Sequence, residues 1–294
     1  MKNRTKGALL VMCAGCLWGT FGILTKTAYA LTTLGPISLA WYRLIFAIPF
    51  FGVLTGIKHY PIKISRRETI LFLGFGFFSL TLFESLYFTS LAYTTVQHAA
   101  GLLYTAPAFV AVLSWLLLKE RMTRTKIVAI ILSMLGAFLI LGLANNEPLF
   151  ASRTQIGDWL ALSSGLAYSS WYIFGKVLGR DREPAVTSLL GLCIGAVMLL
   201  PVAISIEGFR IPQTVTGWEL VAAVGLVPTA MAYLFYLTGL KLIDATSASV
   251  FAIVEPLTAA ILAFYIFQET LSSGSLLGFS LIISSIILIS RVRE

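Results

Sequence analysis

The chain has 294 residues, of which 58% are hydrophobic and 12% charged, and its mean hydropathy is +0.90. A water-soluble globule of this size needs far more polar surface, so that class is excluded. The formal charge of +8 sits in small basic clusters between apolar runs, which marks topology signals and excludes a phosphate-binding surface for nucleic acid.

In chain order, ten apolar runs are long enough to cross a bilayer as helices, at about 20 residues for roughly 30 Å each. They are expected at 8–30, 37–57, 69–92, 98–118, 125–143, 157–178, 186–206, 217–240, 246–267 and 274–290. No alternation of the β-barrel kind is visible. The first run follows Lys2, Arg4 and Lys6 and ends in Ala28-Tyr29-Ala30, which imitates a signal peptide. Its length and its internal Lys26 favour a retained span. Connections are mostly short, so consecutive helices are expected to be antiparallel neighbours, with no room for a soluble domain. Cys13 and Cys16 share a helix face, Cys193 lies alone, and no second pair or nearby histidine completes a metal site, so the cysteines are read as packing residues.

Counting Lys and Arg on alternate sides puts Lys2, Arg4, Lys6, Lys58, Lys63, Arg66, Arg67, Lys119, Arg121, Arg124, Lys126, Lys176, Arg180, Arg182, Lys241, Arg291 and Arg293 on one side, against Arg153 and Arg210 on the other. The positive-inside rule then expects both termini in the cytoplasm and the chain in the cell (inner) membrane. A shift of about 150 residues brings the halves into register. Gly7, Gly15 and Lys26 align with Gly157, Gly165 and Lys176, Tyr87 and Thr89 with Tyr236 and Thr238, and Pro107 and Glu120 with Pro256 and Glu269. The division is expected at 1–145 and 146–294. With five spans in each half, the second must enter from the opposite face, which makes the halves an inverted repeat suited to alternating access.

These residues carry a resemblance to a known group. Leu17 to Lys26 (LWGTFGILTK), Arg43 in WYRLIFA, Thr94 to Arg121 and its echo Ala245 to Glu269 resemble the EamA-type members of the drug/metabolite transporter superfamily, over nearly the whole chain. The resemblance implies an all-α fold of ten transmembrane helices in two inverted five-helix repeats, both termini inside, and export or exchange of small metabolites through a central cavity. One departure stands out, since Ala106 precedes the proline in the first repeat and Glu255 in the second.

Ionisable groups in a bilayer cost about 2.5 to 3.5 kcal/mol at its centre on insertion scales, so each needs a partner, water or a task. Arg43 and Glu84 are expected at similar depth, as a structural ion pair or as the cavity's anchors for a zwitterion. Glu255, near the midplane and followed by Pro256, is the candidate for proton or ion coupling, against the reading of a protonated packing residue. Lys26 is close enough to the outer boundary to snorkel. Among the aromatic residues, Tyr87, Tyr104, Tyr168, Trp171 and Tyr236 are candidates for substrate contact, with Tyr87 and Tyr236 facing each other across the repeat, whereas packing or interface belting is the general alternative. Pro107 and Pro256 are candidate gating points, Gly15, Gly19, Gly191 and Gly195 packing contacts, and Glu120 and Glu269 helix-end anchors. His98 is expected near the outer surface and His59 in a cytoplasmic loop, neither in a catalytic set.

No GxxxxGK[ST] or HExxH sequence is present, which argues against a P-loop and against a zinc hydrolase, and no cofactor is expected. The expected function is secondary active export of amino acids or related small metabolites. The alternatives are an exchanger of nucleoside-like or sugar-like metabolites and, more remotely, an intramembrane enzyme or a receptor. Expected partners are a small-molecule substrate, a proton or another ion, and the lipid bilayer, with the chain acting as a monomer.

Overall fold

The computed structural model describes residues 2–142, 148–208, 210–268 and 272–292. Glu269, Arg293 and the expected division at 145/146 lie outside the described residues. Among the described residues, ten long helical units follow one another: α1 (Asn3–Leu31), α2 (Pro36–Ile57), α3 (Arg66–Ser90), α4 (Val96–Leu118), α5 (Arg124–Ile140), α6 (Gln155–Leu178), α7 (Pro184–Glu207), α8 (Val215–Leu240), α9 (Ala245–Phe267) and α10 (Ser273–Ser290). Among the described residues, eight of them are long and apolar enough to cross a membrane. The two that are not are α5, with 17 residues, and α6, which carries Asp158, Ser164, Ser169 and Lys176. The polar face of α6 is turned into the bundle, where Ser164 and Ser169 are buried and bond carbonyls of their own helix.

Most helices start where a side chain can satisfy the free N–H groups of the first turn. Ser65 and Glu68 form a capping box at α3, and Thr95, Thr123, Thr214, Asp244 and Ser272 cap α4, α5, α8, α9 and α10. Two starts are also capped from elsewhere in the chain. Glu207 accepts the N–H groups of Ile37 and Ser38, both at 2.8 Å, at the start of α2. Glu120 accepts those of Ala245 at 2.7 Å and Thr246 at 3.2 Å at the start of α9. Glu120 is thus a helix-end anchor, but for a helix of the other half and not for its own.

Consecutive helices are not the chief neighbours, contrary to the expectation from short connections. The main partners are α5 with α10, α2 with α7, α1 with α8 and α9, and α6 with α3 and α4. A short loop ties two helix ends together, but the side chains along the helices choose which faces can approach, and small residues decide that here. Gly136 on α5 and Gly278 on α10 each face the other's carbonyl oxygen. Exchanging α1–α5 for α6–α10 leaves this set of pairings unchanged.

Two helices break at matching places. In α4, turn residues Tyr104 and Thr105 separate Val96–Leu103 from a segment that begins at Ala106-Pro107. In α9, Ile253 separates Ala245–Ala252 from a segment that begins at Val254-Glu255-Pro256. Proline lacks an N–H and cannot close the preceding turn, which frees a carbonyl one turn back. The freed backbone is covered by glycines in corresponding positions of the two halves. A Cβ on Gly15 would lie 2.8 Å from Ala252 O, and one on Gly165 would lie 3.3 Å from Leu103 O.

Both described chain ends lie at one end of the bundle, where the Arg4 guanidinium donates to the carbonyls of Ile289 and Ser290. Lys126 and Asp244 pair there at 3.0 Å, and Lys176 donates to Leu240 O and Ile243 O. At the opposite end Asp158, fully buried, accepts from Thr94, His98, Thr154 and the N–H of Phe150. His98, at this end of the bundle, is a buried member of that polar cluster. Cys13 and Cys16 are exposed on the outside of α1, where packing was expected.

Candidate functional site

A cavity of about 120 Å³ opens within the bundle beside both helix breaks. It holds several waters or a compact solute. Its wall is built by helical spacing. On α3, Ser79, Phe83, Glu84, Tyr87 and Phe88 recur at intervals of about one turn and share a face. Opposite them stand Trp18 and Phe21 of α1, Arg43 of α2, Leu103 and Tyr104 of α4, Tyr168 and Trp171 of α6, Tyr233 of α8 and Glu255 of α9. Nine of the fifteen lining residues are aromatic.

Three lining groups can carry charge. Arg43 and Glu84 form an ion pair through Nη2 and Oε1, with side chains only 8% and 2% exposed. The guanidinium also lies 5.1 Å from the centre of the Phe21 ring, in cation–π range. A buried cation and carboxylate in contact satisfy much of each other's demand for solvation, so the pair binds α2 to α3 while leaving its outer edges at the cavity. Among the described residues, no cation is in contact with Glu255. Its carboxylate lies within hydrogen-bonding reach of Tyr104, and the segment that carries it starts at the α9 break. The carboxyl therefore sits where the backbone bends.

The aromatic wall is stacked in depth. Trp171 and Tyr233 have ring centres 4.2 Å apart, and Phe83 and Tyr168 are 4.9 Å apart. Behind this layer lies Tyr236, fully buried and packed on Trp18 at 5.3 Å and on Tyr172 at 5.4 Å. Of the residues expected to touch a substrate, the structure brings Arg43, Glu84, Tyr87, Tyr104, Tyr168 and Trp171 to the cavity, together with Glu255, and keeps Tyr236 out of it. Pro107 and Pro256 are buried at the two breaks and line none of it. Lys26 is exposed and stands 3.8 Å from the centre of the Phe267 ring. The sequence reading passed over Phe21 and Phe83, whose signal was available in their one-turn spacing from Trp18 and Tyr87. It also missed Asp158 and Glu207, whose partners are remote in sequence.

The model of the EamA-like transporter family matches residues 5–142 and again 155–291. The chain belongs to the EamA-like transporter family. It is similar over most of its length to several transporters of that kind. An uncharacterized transporter of Archaeoglobus fulgidus is 29% identical over 268 residues, 90% of each chain. The Bacillus subtilis transporter YwfM is 26% identical over 284 residues, covering 96% of this chain and 93% of its own. The Salmonella typhimurium inner membrane transporter YicL is 26% identical over 298 residues, 99% of this chain and 97% of its own. A solved crystal structure superposes with a TM-score of 0.82 at 18% identity, covering 97% of this chain and 96% of its own, and shares the fold. This EamA-family chain is accordingly a multi-pass membrane transporter, and the cavity is the place in it where polar groups and helix breaks converge.

Proposed function

We propose that the chain is a secondary active transporter that exports amino acids or related small zwitterionic metabolites by alternating access. The observation that carries this reading is the cavity itself. It joins an Arg43–Glu84 pair, a separate Glu255 carboxylate and two broken helices within one aromatic-walled space. A zwitterion meets the cationic edge of Arg43 with its carboxylate and a cavity carboxylate with its ammonium. Glu255 takes or releases a proton as the α9 break flexes, which couples cargo movement to a gradient. The reading is further supported by the pairing that survives exchange of the two halves, because related halves facing opposite sides give two conformations of nearly equal energy. In this reading both termini are cytoplasmic and the basic end of the bundle faces the cell interior.

The test uses full-length protein in proteoliposomes, with a panel of labelled amino acids and an imposed pH gradient. The expected result is accumulation of a subset of the panel, collapsing when the gradient is dissipated and lost in Glu255→Gln. No accumulation of any amino acid removes the cargo assignment. The second reading, an exchanger of nucleoside-like or sugar-like metabolites, is favoured by the nine aromatic lining residues. It predicts counterflow of labelled nucleosides that survives Arg43→Gln/Glu84→Gln, a pair of changes that abolishes zwitterion transport.

A further inference from the structure

A second concavity lies on the outer surface of the bundle, between α4 and α5. It measures about 530 Å³, and Ala108, Ala111, Val112, Trp115, Ile127 and Ile131 form most of its wall. Val112 is 54% exposed and Trp115 57%, so the groove is open along its length to whatever surrounds the bundle. Its shape follows from the end of α4. The last turn, Ser114–Leu118, is a wide π-turn that stops at Lys119 in the left-handed region, φ 58°. The chain then crosses to Arg124, and Met122 from this crossing closes the end of the groove.

The same crossing concentrates charge. Lys119, Arg121 and Arg124 are all exposed, within six residues. The acid among them, Glu120, is turned away to accept the backbone N–H groups of Ala245 and Thr246 on α9. The closed end of an apolar groove therefore carries three cations and no carboxylate of its own connection. The amino-terminal end of α5 adds the positive pole of its helix dipole at the same place.

We propose that this groove holds one anionic glycerophospholipid, with an acyl chain between α4 and α5 and its phosphate among Lys119, Arg121 and Arg124. Basic residues near span ends are common for reasons of topology alone. A site differs from that general bias in needing the groove as well as the charges. A zwitterionic phospholipid satisfies the apolar wall but brings a cation of its own to three others, so selectivity for the anionic headgroup is the diagnostic property.

Native mass spectrometry of the full-length protein, given equal amounts of phosphatidylglycerol and phosphatidylcholine in mild detergent, reads this directly. The expected result is one phosphatidylglycerol retained per chain in preference to phosphatidylcholine. Lys119→Gln/Arg121→Gln/Arg124→Gln should lower that retention more than tenfold, each cation near an anionic headgroup being worth about fivefold. Val112→Trp, which fills the groove from an exposed position and leaves the core intact, should lower retention of phosphatidylglycerol with all three cations present. Equal retention of the two lipids overturns the proposal, as does phosphatidylglycerol binding that is unchanged in either variant. Displacement by glycerol phosphate at the lipid's own concentration also overturns it, by showing a headgroup site that does not use the groove.

Discussion

Arg43 and Glu84 were placed at similar depth by counting residues from the ends of two apolar runs, and the structure joins them in one ion pair. Depth is legible in a sequence because each helical residue advances the chain by a fixed 1.5 Å. Orientation around the helix axis is less so. Tyr87 and Tyr236 occupy matching positions, yet Tyr87 lines the cavity while Tyr236 is sealed behind Trp18 and Tyr172, because the rings packed against each residue differ. Removing one member of a buried pair strands the other, at a cost of about 3–5 kcal/mol. Arg43→Gln is therefore expected to lower the apparent melting temperature in detergent more than Arg43→Gln/Glu84→Gln does. If the double variant is the less stable, the ion pair does not hold α2 to α3 in this way.

At the scale of the helices, ten apolar runs could be read from periodicity and length, and their starts could be sharpened by capping residues such as Ser65 and Asp244. Neighbour choice could not be read. The helices are apolar on most sides, so no stripe of side chains announces a partner, and close approach is decided by where the small residues of two distant helices coincide. Gly15 shows the consequence. A Cβ there would meet Val254 Cγ1 at 2.6 Å and Ala252 O at 2.8 Å, whereas one at Gly22 meets nothing within 4 Å. Gly15→Val should thus force α1 away from the α9 break, with an overpacking cost of about 1–3 kcal/mol and a fall in folded yield. Gly22→Ala should be neutral or stabilising by up to about 1 kcal/mol through helix propensity. Equal behaviour of the two variants in a thermal-denaturation assay would remove the close-packing account of the break.

For the molecule as a whole, the basic end is held together across the halves by Glu120 on the start of α9 and by Lys126 on Asp244. Burial, and after it the neighbouring Asp244 carboxylate, raise the Glu120 carboxyl above its ordinary range. A raised carboxyl binds its proton more tightly in the folded chain than in the unfolded one. Its contribution to stability is therefore fully present at acid pH and is lost as pH rises from the ordinary glutamate value through the raised one. Wild-type protein should accordingly lose thermal stability across that window, and Glu120→Gln should flatten the loss while keeping an acceptor for the Ala245 N–H. A slope that Glu120→Gln leaves unchanged would assign the pH dependence to another group.

The sequence by itself determined that this chain lives in a bilayer, roughly where its helices begin and end, which family it resembles, and that Arg43, Glu84 and Glu255 need partners inside the membrane. These follow from local quantities: transfer cost, helical rise and the positions of proline and basic residues. Tertiary structure alone decided that α5 packs on α10 and α2 on α7, that Glu120 and Glu207 cap helices far along the chain, and that Tyr236 lies outside the cavity. Those outcomes depend on which surfaces meet across more than a hundred residues of chain, and the energy of such a meeting resides in the pair of surfaces and not in either segment taken singly.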